Sequence, residues 1–288
     1  MYTRTLRLAA TAWLSVAVAI SVPVAGATTA EEDMAWTGGL RSAYFAEREI
    51  LSDEVITLDA PARAENAAIV PVSIRSASPQ TEERYIKTIW LFVDKNPGPL
   101  VGKFHFTPAS GRADLGLRLR VDTYSPVRAI AELNDGTLHM SRRFVKASGG
   151  CSAPAASNAD AAKRELGRMK FSLSRTTDAV GEVENEPPTV AQLMIRHPNR
   201  SGLQMDQVTR LYAPPDFVTN VKVRFEGEEI LSAETSFAVS ENPSFRFHLA
   251  PQHAGELTAE VTDTEGRQFA ETYRGSADSG EVKVVAKQ

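Results

Sequence analysis

Apolar and polar residues alternate through much of the chain between residues 69 and 140, and this alternation predicts β-strands. A spacing of two between apolar residues recurs in two runs: Leu115, Leu117, Leu119, Val121, and then Val127, Ala129, Ala131, Leu133. The turn signal Asn134-Asp135-Gly136 follows the second run. Further strand candidates cover residues 69–74, 89–93 and 100–106. This half of the chain is therefore expected to form an antiparallel β-sandwich.

The same alternation returns in the last hundred residues and predicts a second β-unit. Its apolar positions are Val221, Val223, Phe225, Ile230, Leu231, Phe245, Phe247, Leu257, Ala259, Val261, Phe269 and Tyr273. Two turn signals interrupt them, Glu226-Gly227 and Thr264-Glu265-Gly266. The expected fold class is all-β, with two immunoglobulin-like antiparallel β-sandwich domains joined by a short helix and linker.

The stretch between the two β-units has a different character. Ser157 is a candidate N-cap for a helix that runs to about residue 170, and residues 171–173 are a candidate short strand. Residues 176–188 are polar and acidic and end in Pro187-Pro188, which is typical of a linker. We therefore expect domains at residues 28–151 and 189–288, separated by a helix and linker at 152–188. A further short helix is expected over residues 40–50.

The first 27 residues have the features of a secretory signal peptide. Arg4 and Arg7 precede an apolar run at residues 8–20, and Ala25-Gly26-Ala27 offers a cleavage site between small residues. The run is shorter than the roughly 20 residues that a membrane-spanning helix needs. We expect export to a bacterial periplasm and no membrane span in the mature protein.

Composition argues against a nucleic-acid partner. The formal net charge is -4 and the sequence pI is about 5.8, so the chain lacks the basic excess that favours binding to polyanions. The five histidines are scattered and no His-x-x-x-His pair occurs, so no metal site and no cofactor are expected.

The chain has one cysteine, Cys151, which follows Gly149 and Gly150. A single thiol has no disulfide partner within the chain, and paired glycines favour its presentation on a thin, exposed segment. Three cations before it, Arg142, Arg143 and Lys146, are candidates for lowering the pKa of the thiol or attracting an anionic cargo. The alternatives are a buried, inert thiol and cations that merely solvate a strand end. An exposed thiol could also link two copies through a disulfide.

Four motifs stand out in the second half of the chain: Ile195-Arg196-His197-Pro198, Ser201-Gly202-Leu203, Pro215-Asp216-Phe217-Val218 and Ala238-Val239-Ser240-Glu241-Asn242-Pro243-Ser244-Phe245. They resemble motifs of SoxZ, and the glycine-cysteine segment is similar to the arm of SoxY, its companion among periplasmic sulfur carriers. The resemblance implies a SoxY-like unit ending at Cys151 and a SoxZ-like unit from residue 189. It implies that Cys151 is the site of covalent cargo attachment.

The chain departs from the SoxY pattern after the cysteine, where Ser152-Ala153-Pro154 follows and the polypeptide continues. In this it resembles single-chain SoxYZ-like carriers associated with quinoprotein dehydrogenases, as does Leu166-Gly167-Arg168-Met169-Lys170. The partners implied are sulfur-oxidation proteins, or a quinoprotein dehydrogenase and its cytochrome.

Three functions follow as hypotheses. The first is a non-enzymatic carrier that holds a sulfur-containing intermediate on Cys151. The second is a binding or assembly accessory of a quinoprotein dehydrogenase and its cytochrome that makes little use of the thiol. The third, a cysteine-dependent enzyme, is disfavoured because no motif supplies histidine and amide or carboxylate partners.

Overall fold

The computed structural model describes residues 33–52, 54–154, 163–175, 189–205, 209–250, 254–276 and 282–284. Fifteen strands lie in these ranges: β1 Ile56–Asp59, β2 Val70–Ser76, β3 Ile86–Val93, β4 Leu100–Phe106, β5 Leu115–Leu119, β6 Ser125–Leu133, β7 Leu138–Val145, β8 Met169–Arg175, β9 Thr189–Ile195, β10 Val218–Phe225, β11 Glu228–Thr235, β12 Ser244–Leu249, β13 Ala254–Asp263, β14 Gln268–Ser276 and β15 Val282–Val284. The helical pieces there are short and include a π-helical turn Trp36–Leu40, α1 Arg41–Phe45, a 3-10 turn Pro108–Ser110 and a helical turn at residues 163–165. None of the helices in this part of the chain has the length and apolar character needed to span a membrane.

The strands form two antiparallel sheets, and each sheet draws on both ends of the chain. The six-stranded sheet has the order β1-β2-β5-β12-β9-β8, and the nine-stranded sheet has the order β15-β14-β13-β10-β11-β4-β3-β6-β7. We call β1 to β7 the N-terminal half and β8 to β15 the C-terminal half. Among the described strands, the halves pair with each other at two places, β5 with β12 and β4 with β11. The two sheets are therefore continuous from one half into the other.

A shared hydrophobic core follows from this arrangement. Leu115, Leu117 and Leu119 point inward from β5, as their spacing of two predicts, and all three are buried. Phe104 of β4 packs on Phe245 of β12, with ring centroids 6.1 Å apart, so the contact joins both the two sheets and the two halves. Burying one such side chain contributes about 1.5–3 kcal/mol. The core thus holds the halves together as well as stabilising each.

The all-β antiparallel sandwich class predicted from the alternation is confirmed. Strand β4 has the predicted bounds, and the turn at residues 134–136 joins β6 to β7. Glu226 and Gly227 have φ values of 47° and 84° and connect β10 to β11, as expected of a two-residue hairpin turn with both residues at positive φ.

The helical predictions differ from the structure in two places. The helix expected over residues 40–50 begins earlier, with a π-helical turn at Trp36, and ends at Phe45. The helix expected to reach about residue 170 ends sooner, because Gly167 adopts φ +78° and β8 begins at Met169. Met169, Phe171 and Leu173 are buried at a spacing of two, so the short strand predicted at 171–173 is present and longer. The predicted signal peptide, the start of the middle helix at 155–162 and the linker at 176–188 lie outside the described residues.

Candidate functional site

The segment that carries the cysteine lies along the chain that leaves β5. We call residues 149–154 the Cys151 strap. The N–H of Gly149 donates to the carbonyl oxygen of Asp122 at 2.7 Å, and the N–H of Gly150 donates to that of Val121 at 3.0 Å. The strap is therefore held at its N-terminal end by the backbone of the N-terminal half.

Glycine is needed at positions 149 and 150 for different structural reasons. Gly149 adopts φ +76°, which residues with a side chain rarely adopt. At Gly150 an added Cβ would lie 2.1 Å from the carbonyl oxygen of Ala67 and 2.6 Å from that of Val121. Gly150 is thus required for close packing of the backbone, and the expectation that it serves the mobility of an exposed arm stays a prediction.

The thiol is buried, with Cys151 at 0% exposure, so the expected exposed presentation is wrong for this conformation. The reason is that the C-terminal half covers the strap. The hydroxyl of Ser201 donates to the carbonyl oxygen of Cys151, and the side-chain amide of Gln204 donates to that of Ala153 at 3.0 Å. The N–H of Cys151 donates to Asp122 Oδ1 at 3.2 Å. The strap therefore lies at the junction of the halves, hydrogen-bonded to both.

The electrostatics of this position disfavour a thiolate. Burial, with a smaller contribution from the Asp122 carboxylate, raises the pKa of the Cys151 thiol to about 12, and Arg120 only partly opposes the shift. The sequence had predicted the opposite direction, because neighbouring cations were expected to lower the pKa. The loss of solvation raises the pKa of the thiol by more than the one nearby cation lowers it.

The cation that acts on the thiol is Arg120, which sequence reasoning missed. Its side chain is buried and donates to the carbonyl oxygens of Gly150 and Asn199, each at 3.2 Å. Burial lowers the pKa of this guanidinium. Arg120 therefore bridges the strap and the C-terminal half. In sequence it follows directly after the alternating run of β5, where it has no signal that separates it from a solvated residue.

The three predicted cations are placed elsewhere. Arg142 pairs with Asp33, Nη1 to Oδ1 at 3.0 Å, and Arg143 is exposed and donates to the carbonyl oxygen of Arg142. The backbone of Lys146 exchanges hydrogen bonds with that of Ala62 and Ala64. The expectation that these three residues stabilise a thiolate stays a prediction. It applies to a strap that has moved out of the buried position.

A buried ionic network lies beneath the residues that hold the strap. His197 Nε2 lies 3.3 Å from Asp263 Oδ2 and 3.6 Å from Asp216 Oδ1. Asp216 also forms an ion pair with Arg200 at 2.8 Å. Arg267 forms ion pairs with both Asp216 and Asp263, and its Nε lies 2.6 Å from Oδ2 of Asp263. Burial lowers the pKa of His197. The network fixes the chain around residues 197–201, from which Asn199 and Ser201 reach Arg120 and the strap.

His197, Asp216 and Asp263 lie close enough together to suggest a metal site, but their donor atoms do not fit one. His197 Nδ1 accepts the N–H of Asn199 at 3.1 Å, which leaves the proton on Nε2, the atom that faces the carboxylates. Both carboxylates are already engaged by arginine. The residues therefore form a structural ion-pair network.

Comparisons with known proteins agree with this architecture. The profile of the family "Sulfur oxidation protein SoxY" matches residues 41–151, and that of "Sulphur oxidation protein SoxZ" matches residues 178–274. No curated protein matches the sequence.

Solved structures match parts of the chain with low TM-scores. The sulfur carrier protein SoxY from Chlorobium limicola f thiosulfatophilum is 24% identical, with 42% of this chain and 98% of that chain covered and a TM-score of 0.34. A superoxide reductase (neelaredoxin) from Ignicoccus hospitalis is 18% identical, with 32% and 79% covered and a TM-score of 0.29. Fibronectin(III)-like modules of Clostridium thermocellum CbhA are 12% identical, with 75% and 90% covered and a TM-score of 0.22.

The two family matches together span more than two thirds of the 288 residues, and the first ends at Cys151. The chain belongs to the SoxY and SoxZ families of sulfur oxidation proteins, and it joins one domain of each in a single polypeptide.

Proposed function

We propose that this protein is a periplasmic carrier that holds a sulfur-containing intermediate covalently on Cys151 while partner enzymes process it. The observation that carries the proposal is the position of the cysteine: the SoxY match ends at Cys151, in a strap that lies between the SoxY and SoxZ domains. The protein has no turnover of its own in this account. Export through the predicted signal peptide at residues 1–27 would place it in the periplasm.

Loading of the carrier requires release of the strap. In its buried position the thiol has a pKa raised to about 12, so the thiolate population is very small at neutral pH. Breaking the hydrogen bonds from Ser201 and Gln204 would free the C-terminal part of the strap. Both ends of the strap continue into the fold, so release is an outward bulge of a loop.

In the proposed loading step, the released thiolate attacks the sulfur of an S–S-linked sulfonate held by a partner's cysteine. One S–S bond forms on Cys151 and one breaks on the partner, whose sulfur leaves as a thiolate and takes up the proton that Cys151 has lost. The exchange is neutral in electrons and needs no separate oxidant. Two unloaded, released thiols from separate copies could also form an intermolecular disulfide, a reaction that releases two protons and passes two electrons to an oxidant such as molecular oxygen.

The proposed setting is a quinoprotein dehydrogenase and its cytochrome. It rests on the resemblance of Gly149-Gly150-Cys151-Ser152-Ala153-Pro154 to single-chain carriers of that setting. Sulfur-oxidation enzymes are the other partner class that the SoxY and SoxZ domains support.

One observation favours a second candidate, a non-catalytic assembly accessory of the same dehydrogenase. A thiol at 0% exposure with a raised pKa behaves as a small apolar side chain in a packed junction. In that account the two fused domains present a binding surface and Cys151 contributes packing alone.

Replacement of Cys151 in the native host separates the two candidates. Cys151→Ser and Cys151→Ala would be compared for thiosulfate-dependent and alcohol-dependent oxygen uptake by intact cells, with Ser152→Ala as the matched control on the same strap. The carrier account predicts loss of uptake in both cysteine variants while the control is unaffected. Uptake that survives both replacements would establish the accessory. Thermal unfolding of the purified variants checks that each remains folded, because the position is buried.

A further inference from the structure

A basic cleft opens on the outer face of the six-stranded sheet. It has a volume of about 530 Å³ and lies between β5 and β9, beyond the start of β12 at Ser244. Its lining comes from the N-terminal half, the C-terminal half and the chain just before β8. The cleft therefore exists because the two halves share this sheet.

The charge of the cleft is opposite to that of the whole protein. It is lined by four cations and two carboxylates: Arg118, Arg168, Lys170, Arg196, Glu165 and Glu241. These side chains give a local excess of two positive charges, whereas the formal net charge of the chain is -4. Concentration of cations in a concave site focuses the local potential and attracts anions.

Among the residues that the structure describes, the two arginines on the rim, Arg168 and Arg196, pair weakly with one carboxylate. Glu165 lies 3.5 Å from Arg196 and 3.8 Å from Arg168, and the arginine side chains are 60% and 71% exposed. Exposed pairs of this kind contribute little and are readily replaced by another anion. Both guanidinium groups can therefore turn toward a ligand at small cost.

The floor of the cleft holds a better-ordered cation. Arg118 projects from β5 and donates through Nη2 to the carbonyl oxygen of Asn242 at 3.0 Å. Its Nε is buried and has no hydrogen-bond partner within the described ranges. A guanidinium fixed in this way, with two more at the rim, suits the planar, two-pronged hydrogen bonding that arginine makes to oxyanions.

We propose that this cleft is a non-covalent binding site for a small dianion with tetrahedral oxygen groups, of the thiosulfate and sulfate class. The charge of the cleft requires an anion, and the arginines favour an oxyanion. The preference for sulfur over phosphorus or carboxylate rests on the proposed carrier function. The cleft and the strap are supported by the same segment, since Arg118 on the floor of the cleft lies two residues before Arg120, which donates to the carbonyl oxygen of Gly150.

Titration calorimetry on the full mature protein tests the site, with thiosulfate, sulfate, phosphate and succinate as separate probes at constant ionic strength. We expect saturable binding of thiosulfate and sulfate, and a loss of affinity of tenfold or more in the double variant Arg168→Gln/Arg196→Gln and in Arg118→Gln. Arg274→Gln is the matched control, because Arg274 is an exposed arginine paired with Glu256 on the other sheet.

Each result of these titrations supports or overturns a part of the proposal. The absence of saturable heat, or equal affinity in the cleft variants and the control, would overturn the site. Equal binding of phosphate and succinate would overturn the sulfur preference. Cys151→Ser should bind thiosulfate as the unaltered protein does, so a failure of the carrier proposal leaves the result for the cleft intact. A thiosulfate signal that disappears in Cys151→Ser would show that the heat came from the thiol and would also overturn the cleft.

Discussion

Loosening the strap should expose the thiol to alkylation. Ser201 and Gln204 each hold a carbonyl oxygen of the strap from the C-terminal half. The net contribution of one such hydrogen bond is about 1 kcal/mol, which corresponds to roughly a fivefold change in an equilibrium constant. The double variant Ser201→Ala/Gln204→Ala should therefore raise the population of the released strap by about thirtyfold, if the two contributions add.

The assay is the rate of modification of Cys151 by iodoacetamide under native conditions, followed by intact mass. When release is fast and unfavourable, the observed rate is proportional to the released population, so the rate should rise by the same factor. Ser110→Ala is the matched control: Ser110 is a buried serine that donates to the carbonyl oxygen of Thr107 at 2.8 Å, away from the strap. Equal alkylation rates in the double variant and the control would refute the conclusion that Ser201 and Gln204 hold the strap in place. Rapid alkylation of the unaltered protein would refute the conclusion that the thiol is buried.

Further predictions concern the thiol, the packing, the ionic network and the connection between the halves. Because burial raises the pKa of Cys151 to about 12, its alkylation rate in the native protein should still rise with pH at pH 10, whereas the urea-unfolded protein should level off above about pH 9; a native plateau below pH 8 would contradict the assigned direction. Gly150→Ala should displace the strap from Ala67 and speed alkylation at pH 8, and an unchanged rate would show that the backbone contact is not limiting. Asp263→Ala should lower the free energy of unfolding in urea by about 1.5–3 kcal/mol, because it removes a charged acceptor from buried His197 and half-buried Arg267 and leaves both with Asp216; a loss below 1 kcal/mol would argue against the network. A protease site inserted at residues 176–188 should, once cut, leave two fragments, β1 to β8 and β9 to β15, that co-elute in size-exclusion chromatography because their strands pair in both sheets; separate elution would contradict that pairing.

The sequence was most informative about local structure. Alternation at Leu115, Leu117 and Leu119 identified the buried face of β5, and the turn at residues 134–136 identified a hairpin, because both depend on neighbours within a few residues. The pairing of β5 with β12 and of β4 with β11 was not visible. A spacing of two shows which face of a strand is buried but carries no information about which strand lies at its edge.

The sequence directed attention to Gly149, Gly150 and Cys151 but did not show that the thiol is buried. The role of Cys151 as the attachment site stays a prediction. Paired glycines suit an exposed arm and a tightly packed backbone equally well, and only the carbonyl of Ala67 above Gly150 distinguishes them. Arg120 escaped notice for a related reason: its burial depends on a cover from residues 199–204, which are distant in sequence.

The intact mass of the mature protein, isolated from the periplasm without reductant while the pathway is active, tests the carrier role most directly. Peptide mapping before and after reduction would locate any adduct. The account predicts a reducible adduct with the mass of a sulfur or sulfur-oxyanion group on Cys151. An unmodified Cys151 under those conditions would contradict it.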